Sequence, residues 1–216
     1  MLVAAGRGER LGADRPKAFV RLGELPLLAE PLRRLDDSDW IDAIVVAAPP
    51  EWEEPAILLA EEIGADKVRA VVTGGETRAE SVRRAVAEIP DDALVVLVHD
   101  AARPLVSDEV IGRVLEPIGE GWDGIVPGLP LADTVKRVGA DNAVAETVSR
   151  DGLWTVQTPQ AFPAAAFRAA LEAGGDASDC AGLVEARGGR IKVVRGDPRL
   201  VKVTSRDDLE LVAGWL

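Results

Sequence analysis

Near the start of the chain, Ala4-Ala5-Gly6-Arg7-Gly8-Glu9-Arg10-Leu11-Gly12 is followed by Pro16-Lys17. Gly6 and Gly8 would let backbone N–H groups approach a phosphate closely. Arg10 and Lys17 would neutralise its charge, one as a planar fork and the other as a point charge. The bland alternative is a tight turn with surface cations. The spacing excludes two common phosphate loops. A dinucleotide fingerprint needs glycine where Leu11 stands, and no G-x-x-x-x-G-K-[ST] run occurs.

Three further stretches carry candidates. In Val98-His99-Asp100-Ala101-Ala102-Arg103-Pro104, Asp100 ends the most apolar run of the chain. A carboxylate there is costly unless paired or metal-bound. Asp100 therefore either holds Mg²⁺ on a nucleotide's phosphates, as sites with few carboxylates do, or pairs with Arg103, or caps a turn. His99 reads as a packed strand residue. In Thr73-Gly74-Gly75-Glu76-Thr77-Arg78-Ala79-Glu80-Ser81, the glycines allow close approach to a base or ribose, or simply make a strand-to-helix turn capped by Thr77. Late in the chain, Lys202 lies between apolar neighbours in Val201-Lys202-Val203-Thr204, as a salt-bridge partner or a phosphate contact.

These residues need a scaffold that gathers them. Ala43–Ala48, Val68–Thr73, Leu94–His99 and Ile191–Arg195 are near-continuous apolar runs, the signature of strands covered on both faces. Between them, Leu27–Leu35, Glu51–Ile63, Arg78–Ile89, Asp108–Leu115, Pro163–Ala173 and Ser205–Leu216 show helical spacing. Ser107 and Ser205 read as N-caps followed by first-turn acids, and Pro163 suits a first turn. The alternation predicts an α/β fold with a doubly wound, mostly parallel sheet. Its Gly-rich loop and Asp100 would then share the carboxyl edge. Residues 131–150 break the rhythm. They read as two extended segments around Gly139-Ala140-Asp141-Asn142, a hairpin too polar for a central strand. Such an arm has unprotected edges, so a second copy of the chain is its expected partner.

Composition sets the outer bounds. The 216 residues suit one domain, residues 1–216. A net charge of −12 argues against nucleic-acid partners and against a basic membrane-binding face. Phosphate binding then requires cations placed locally. One cysteine, Cys180, rules out a disulfide framework, and one histidine rules out multi-His zinc sites. With no apolar run of roughly 18 residues and no leader pattern, a cytoplasmic protein is expected.

Together the stretches AAGRGERLGADRPKAF, GGETRAES, VHDAARP, DTVKR, SRDGLW, QTPQAF and IKVVRGDPRLVKVTSRDDL resemble the 2-C-methyl-D-erythritol 4-phosphate cytidylyltransferase family, in family order from Ala4 to the last helix. The resemblance implies transfer of CMP from CTP to that acceptor, with Mg²⁺, in a Rossmann-like nucleotidyltransferase fold. It implies that Ala4, Ala5, Gly6 and Gly8 line the CTP pocket, with Arg10 and Lys17 on the triphosphate and Lys202 on the α-phosphate. Gly75, Glu76 and Ser81 would recognise cytosine and ribose, largely through backbone groups. Asp100 would meet ribose, phosphate and Mg²⁺. Arg103, Thr134, Arg150 and Thr158 would contact the acceptor, with Arg150 and Thr158 serving the partner's site across a homodimer. Ribitol 5-phosphate cytidylyltransferases share most of these motifs, and a non-catalytic nucleotide-binding module is a further alternative. Two departures stand out. Only three residues precede Ala4, shortening the first strand. Cys180 stands where the family often has an acid, so Asp179 is left out of the site.

Overall fold

The computed structural model describes residues 1–6, 8, 11–175 and 177–216. Its sheet contains the four expected strands, now β4 (Ile44–Ala48), β5 (Val68–Thr73), β6 (Val95–Asp100) and β12 (Ile191–Arg195). A short β1 (Leu2–Val3) lies between β4 and β6, parallel to both. β4 pairs in parallel with β5. β12 pairs in parallel with β7 (Gly124–Pro130). The antiparallel members are β10 (Trp154–Val156) and β11 (Gln160–Pro163). Both run along β7, and β11 also joins β6. The order is therefore β5-β4-β1-β6-β11-β7-β12, with β10 beyond β11 on the same side of β7.

Alternation along β4 shows why the sheet is wound on both faces. Ile44, Val46 and Ala48 enter one core with α1 (Ala29–Asp36), α2 (Glu53–Glu62) and α4 (Asp108–Leu115). Val45 and Ala47 enter the other with α3 (Arg78–Val86), α5 (Ala164–Glu172) and α6 (Cys180–Glu185). All five β4 residues are buried, as the unbroken apolar run requires. A smaller cluster of Leu11, Leu22, Leu27, Leu105, Val203 and Val212 anchors α7 (Arg206–Ala213) and the ribbon of β2 (Arg21–Leu22) and β3 (Leu25–Pro26).

The caps divide. Thr77 accepts from the Glu80 N–H, and Ser205 forms a full capping box with Asp208. Ser107 has the extended backbone of a cap, but its hydroxyl makes no cap bond and lies buried without a partner. The segment 131–150 forms a separate two-stranded sheet of β8 (Val135–Val138) and β9 (Val144–Val148). Its loop closes with Asn142 in the left-handed region and a bond from Gly139 N–H to Ala143 O.

Candidate functional site

Register sets the site. Val3 lies level with Ala47 and with Asp100, and Ala48 lies level with Thr73. Four parallel strands therefore end at one rim. The chain leaves β1 toward β4 on one side and returns to β6 on the other, so the rim contains the topological switch point, where open α/β sheets bind ligands. A cavity of about 570 Å³ opens there. Ala4, Ala5, Gly6, Lys17, Gly75, Glu76, Ser81, Asp100 and Lys202 all line it.

Glycines let the loops close. Gly8 has φ +72°, and a Cβ there would fall 2.6 Å from Lys17 Cβ. It therefore packs on the lysine rather than lining the cavity. A Cβ on Gly74 would stand 2.2 Å from that of Ala5. The 74–77 turn is fixed from within. Ser81 Oγ accepts from Gly75 N–H and donates to Thr77 O, each at 3.0 Å, while Glu76 N–H donates to Glu80. The N–H groups of Gly75 and Glu76 and the carbonyls of Gly74 and Thr77 are thus all engaged in bracing the turn. The start of α3 faces the cavity, adding the positive end of a helix dipole.

Asp100 is the electrostatic centre. It is 7% exposed. Arg78 Nε donates to Oδ1 at 3.0 Å, and Lys202 Nζ donates to Oδ2 at 2.7 Å. Burial alone would raise its pKa, but Arg78 and Lys202 together outweigh burial and hold it far below the usual carboxylate range. The Asp100–Arg103 pair is not formed. Arg103 NH1 donates to Leu200 O instead. Arg78 also reaches Cys180, donating from NH1 to Sγ at 3.1 Å. Burial raises the Cys180 thiol pKa, so that neighbour is neutral.

Lys202 arrives through the backbone. Val203 N–H donates to Ala102 O at 2.8 Å, joining segment 201–204 to the turn after β6. Lys17 Nζ donates to Val203 O at 3.1 Å, so both lysines converge on one strip of chain.

The remaining expected residues separate. Thr158 is 4% exposed and packs behind Asp100, outside the cavity lining. Its Oγ1 accepts from Asp100 N–H at 3.1 Å and bonds His99 Nδ1 at 3.0 Å. These bonds set the position of Thr158 beside Asp100 and His99. His99 Nε2 bonds Arg103 O at 2.9 Å, so both ring nitrogens are occupied. Burial lowers its pKa to about 4, leaving it neutral. Thr134 and Arg150 flank the β8–β9 hairpin, exposed and outside the cavity lining. Arg10 lies outside the described residues.

The sequence reading missed Arg78 and Arg84, which both line the cavity. A signal existed for Arg78. A carboxylate closing an apolar strand demands a cation, and Arg78 is the first residue after the cap of the neighbouring loop. Arg84 donates to Gly74 O and pairs with Glu80, bracing the turn. The cavity thus holds Lys17, Arg78, Arg84 and Lys202 against Glu76 and Asp100.

A divalent cation fits only in a limited way. Among the described residues no group of three His, Cys, Asp or Glu side chains could hold a metal. A lone carboxylate beside a phosphate-binding rim suits a hard cation that takes its other ligands from phosphates and water. Among the described residues no helix is long and apolar enough to cross a membrane.

Known proteins resemble this chain in sequence and in fold. The family model described as IspD, 2-C-methyl-D-erythritol 4-phosphate cytidylyltransferase, matches residues 1–216. A protein of that name from Saccharopolyspora erythraea is 45% identical, over 100% of this chain and 97% of its own. One from Frankia casuarinae is 44% identical, over 99% of this chain and 79% of its own. The crystal structure of the Thermus thermophilus enzyme so named superposes with a TM-score of 0.81 at 32% identity, covering 100% of this chain and 97% of that one. With its rim cavity, its cation set and this match along its whole length, the chain belongs to the 2-C-methyl-D-erythritol 4-phosphate cytidylyltransferase family.

Proposed function

We propose that this site transfers CMP from CTP to 2-C-methyl-D-erythritol 4-phosphate and releases pyrophosphate, with residues 1–216 acting as one nucleotidyltransferase domain. The observation that carries the reading is the convergence of Lys17, Arg78 and Lys202 around Asp100 at the switch-point rim of an otherwise acidic chain. An acceptor phosphate oxygen attacks the α-phosphorus of CTP. The bond to the bridging oxygen breaks, and pyrophosphate carries away the electron pair. The nucleophile is already anionic near neutral pH, so no general base is needed. A neutral His99 with both ring nitrogens engaged agrees with that.

The residues' task is therefore positioning and charge stabilisation. Lys17 takes the triphosphate, with Arg10 assigned beside it from the family motif, and Lys202 takes the α-phosphate. Gly6 opens onto the cavity and offers backbone to phosphate. Ala4, Ala5 and the 74–77 turn hold the nucleoside. Arg103, Thr134, Arg150 and Thr158 are assigned to the acceptor, and Thr158 also holds the Asp100 N–H and His99. Asp100 would hold Mg²⁺, which supplies neutralisation of phosphate charge when bound. Exposed Val138, Val144, Leu153 and Trp154 on and beside the β8–β9 hairpin support a homodimer formed through that arm. A cytoplasmic location fits the absence of a spanning helix among the described residues.

Pyrophosphate release from CTP tests the reading, with 2-C-methyl-D-erythritol 4-phosphate and ribitol 5-phosphate offered separately. Turnover with the first acceptor is expected. Preference for ribitol 5-phosphate would overturn the acceptor assignment. CTP binding without turnover on either acceptor would overturn the enzyme.

A further inference from the structure

Asp100 is held by two cations that differ in their freedom. Arg78 is 24% exposed at its side chain and is tied twice, to Asp100 Oδ1 and to Cys180 Sγ. Lys202 is 40% exposed and makes a single 2.7 Å bond to Oδ2. Both Lys202 and Asp100 line the nucleotide cavity, so an entering phosphate meets a lysine already engaged by a carboxylate. Moving Lys202 to that phosphate removes one counter-ion from a buried carboxylate. An unpaired buried charge is strongly destabilising. The transfer is therefore feasible only because Arg78 stays behind.

We propose that Arg78 is a positioning residue: it retains Asp100 Oδ1 while Lys202 leaves Oδ2 for the phosphate of the incoming nucleotide. Cys180 suits this task. A neutral thiol accepts from Arg78 NH1 and fixes the guanidinium without competing for its charge. The inference rests on the assignment of Lys202 to the α-phosphate.

The test is a double-mutant cycle on CTP affinity, measured calorimetrically in metal-free buffer so that neither turnover nor a metal enters the readout. Arg78→Gln is expected to weaken CTP binding at least tenfold, with the charge-preserving Arg78→Lys restoring it to within about threefold. In a Lys202→Gln background, where no lysine remains to be released, Arg78→Gln is expected to change affinity by less than twofold. An equal loss in both backgrounds would mean that Arg78 touches the nucleotide directly and would overturn the inference. Unchanged affinity in folded Arg78→Gln would overturn it too. Should Arg78→Gln fail to fold, the same comparison is made with Cys180→Ala, which removes the second tie of Arg78 and is expected to weaken CTP binding only when Lys202 is present. Wild-type protein that shows the coupling but releases no pyrophosphate with either acceptor would sink the enzymatic assignment and leave the inference standing.

Discussion

Lys17 and Lys202 are separated by almost the whole chain, yet both address the strip around Val203 and the same cavity. Each is expected to act on charge that builds as the α-phosphate is attacked. Lys17→Ala should keep the fold and lower kcat by about 10²–10³, the typical cost of one preorganised donor. Steady-state kinetics beside a circular-dichroism melt checks both halves. Near-normal turnover would remove Lys17 from the mechanism. His99 gives a second prediction. Its folded pKa is about 4 against 6.5 for the free side chain. As pH falls below about 6.5, the unfolded chain takes up a proton that the folded chain refuses. Stability should then decline through that window by on the order of 3 kcal/mol and level off near pH 4. Urea midpoints of wild type and His99→Gln across that range measure it, and the decline should be shallower in the variant. At this scale the sequence exposed Lys17, Asp100 and Lys202 because each is an isolated charge among apolar or glycine-rich neighbours. Arg78 stayed hidden because an arginine opening a helix looks like any solvated charge until the strand beside it is placed.

At the scale of elements, close approach matters more than side-chain chemistry. Gly74 lies against Ala5, where a Cβ would stand 2.2 Å from its neighbour's and 3.0 Å from Ala48 O. Gly74→Ala should push the 74–77 turn away from the first loop, costing about 1–3 kcal/mol as overpacking does. CTP affinity should weaken with it. Denaturant midpoints and nucleotide titration test this, and an unchanged midpoint would show that the loops yield freely. Legibility followed the physics of burial. β4, β5, β6 and β12 are near-continuous apolar runs and were readable to within a residue or two, although β5 and β12 lie at the sheet edges and are only partly covered. β7 was not, because Gly124, Pro127, Gly128 and Pro130 mimic a loop, although five of its seven residues are buried. β10 and β11 are short and antiparallel, with Gln157, Thr158 and Pro159 between them, and no periodicity marks them. The six-residue α6 is likewise too short for a helical pattern.

Across the whole molecule, a net charge of −12 surrounds a cavity that gathers four cations. The long-range field repels nucleotides while the local one binds them. The hairpin poses a question of the same scale. Its turn was legible from Gly139 to Asn142, and its Val138 and Val144 stand exposed on the single chain. A homodimer through this arm predicts that Val138→Glu with Trp154→Glu yields a monomer in sedimentation analysis, with acceptor KM raised through the loss of Arg150 from the neighbouring site. A stable dimer in that double variant would place the interface elsewhere.

The bond from Lys17 to the Val203 carbonyl has a consequence for biosynthesis. The rim is stitched from residues that lie 186 positions apart in the sequence. A ribosome must therefore have released both stretches before the cavity closes. Until segment 201–204 clears the exit tunnel, Asp100 lacks one of its two counter-ions and Lys17 lacks that carbonyl. A nascent fragment that lacks segment 201–204 is therefore expected not to turn over nucleotide, however well its sheet has formed.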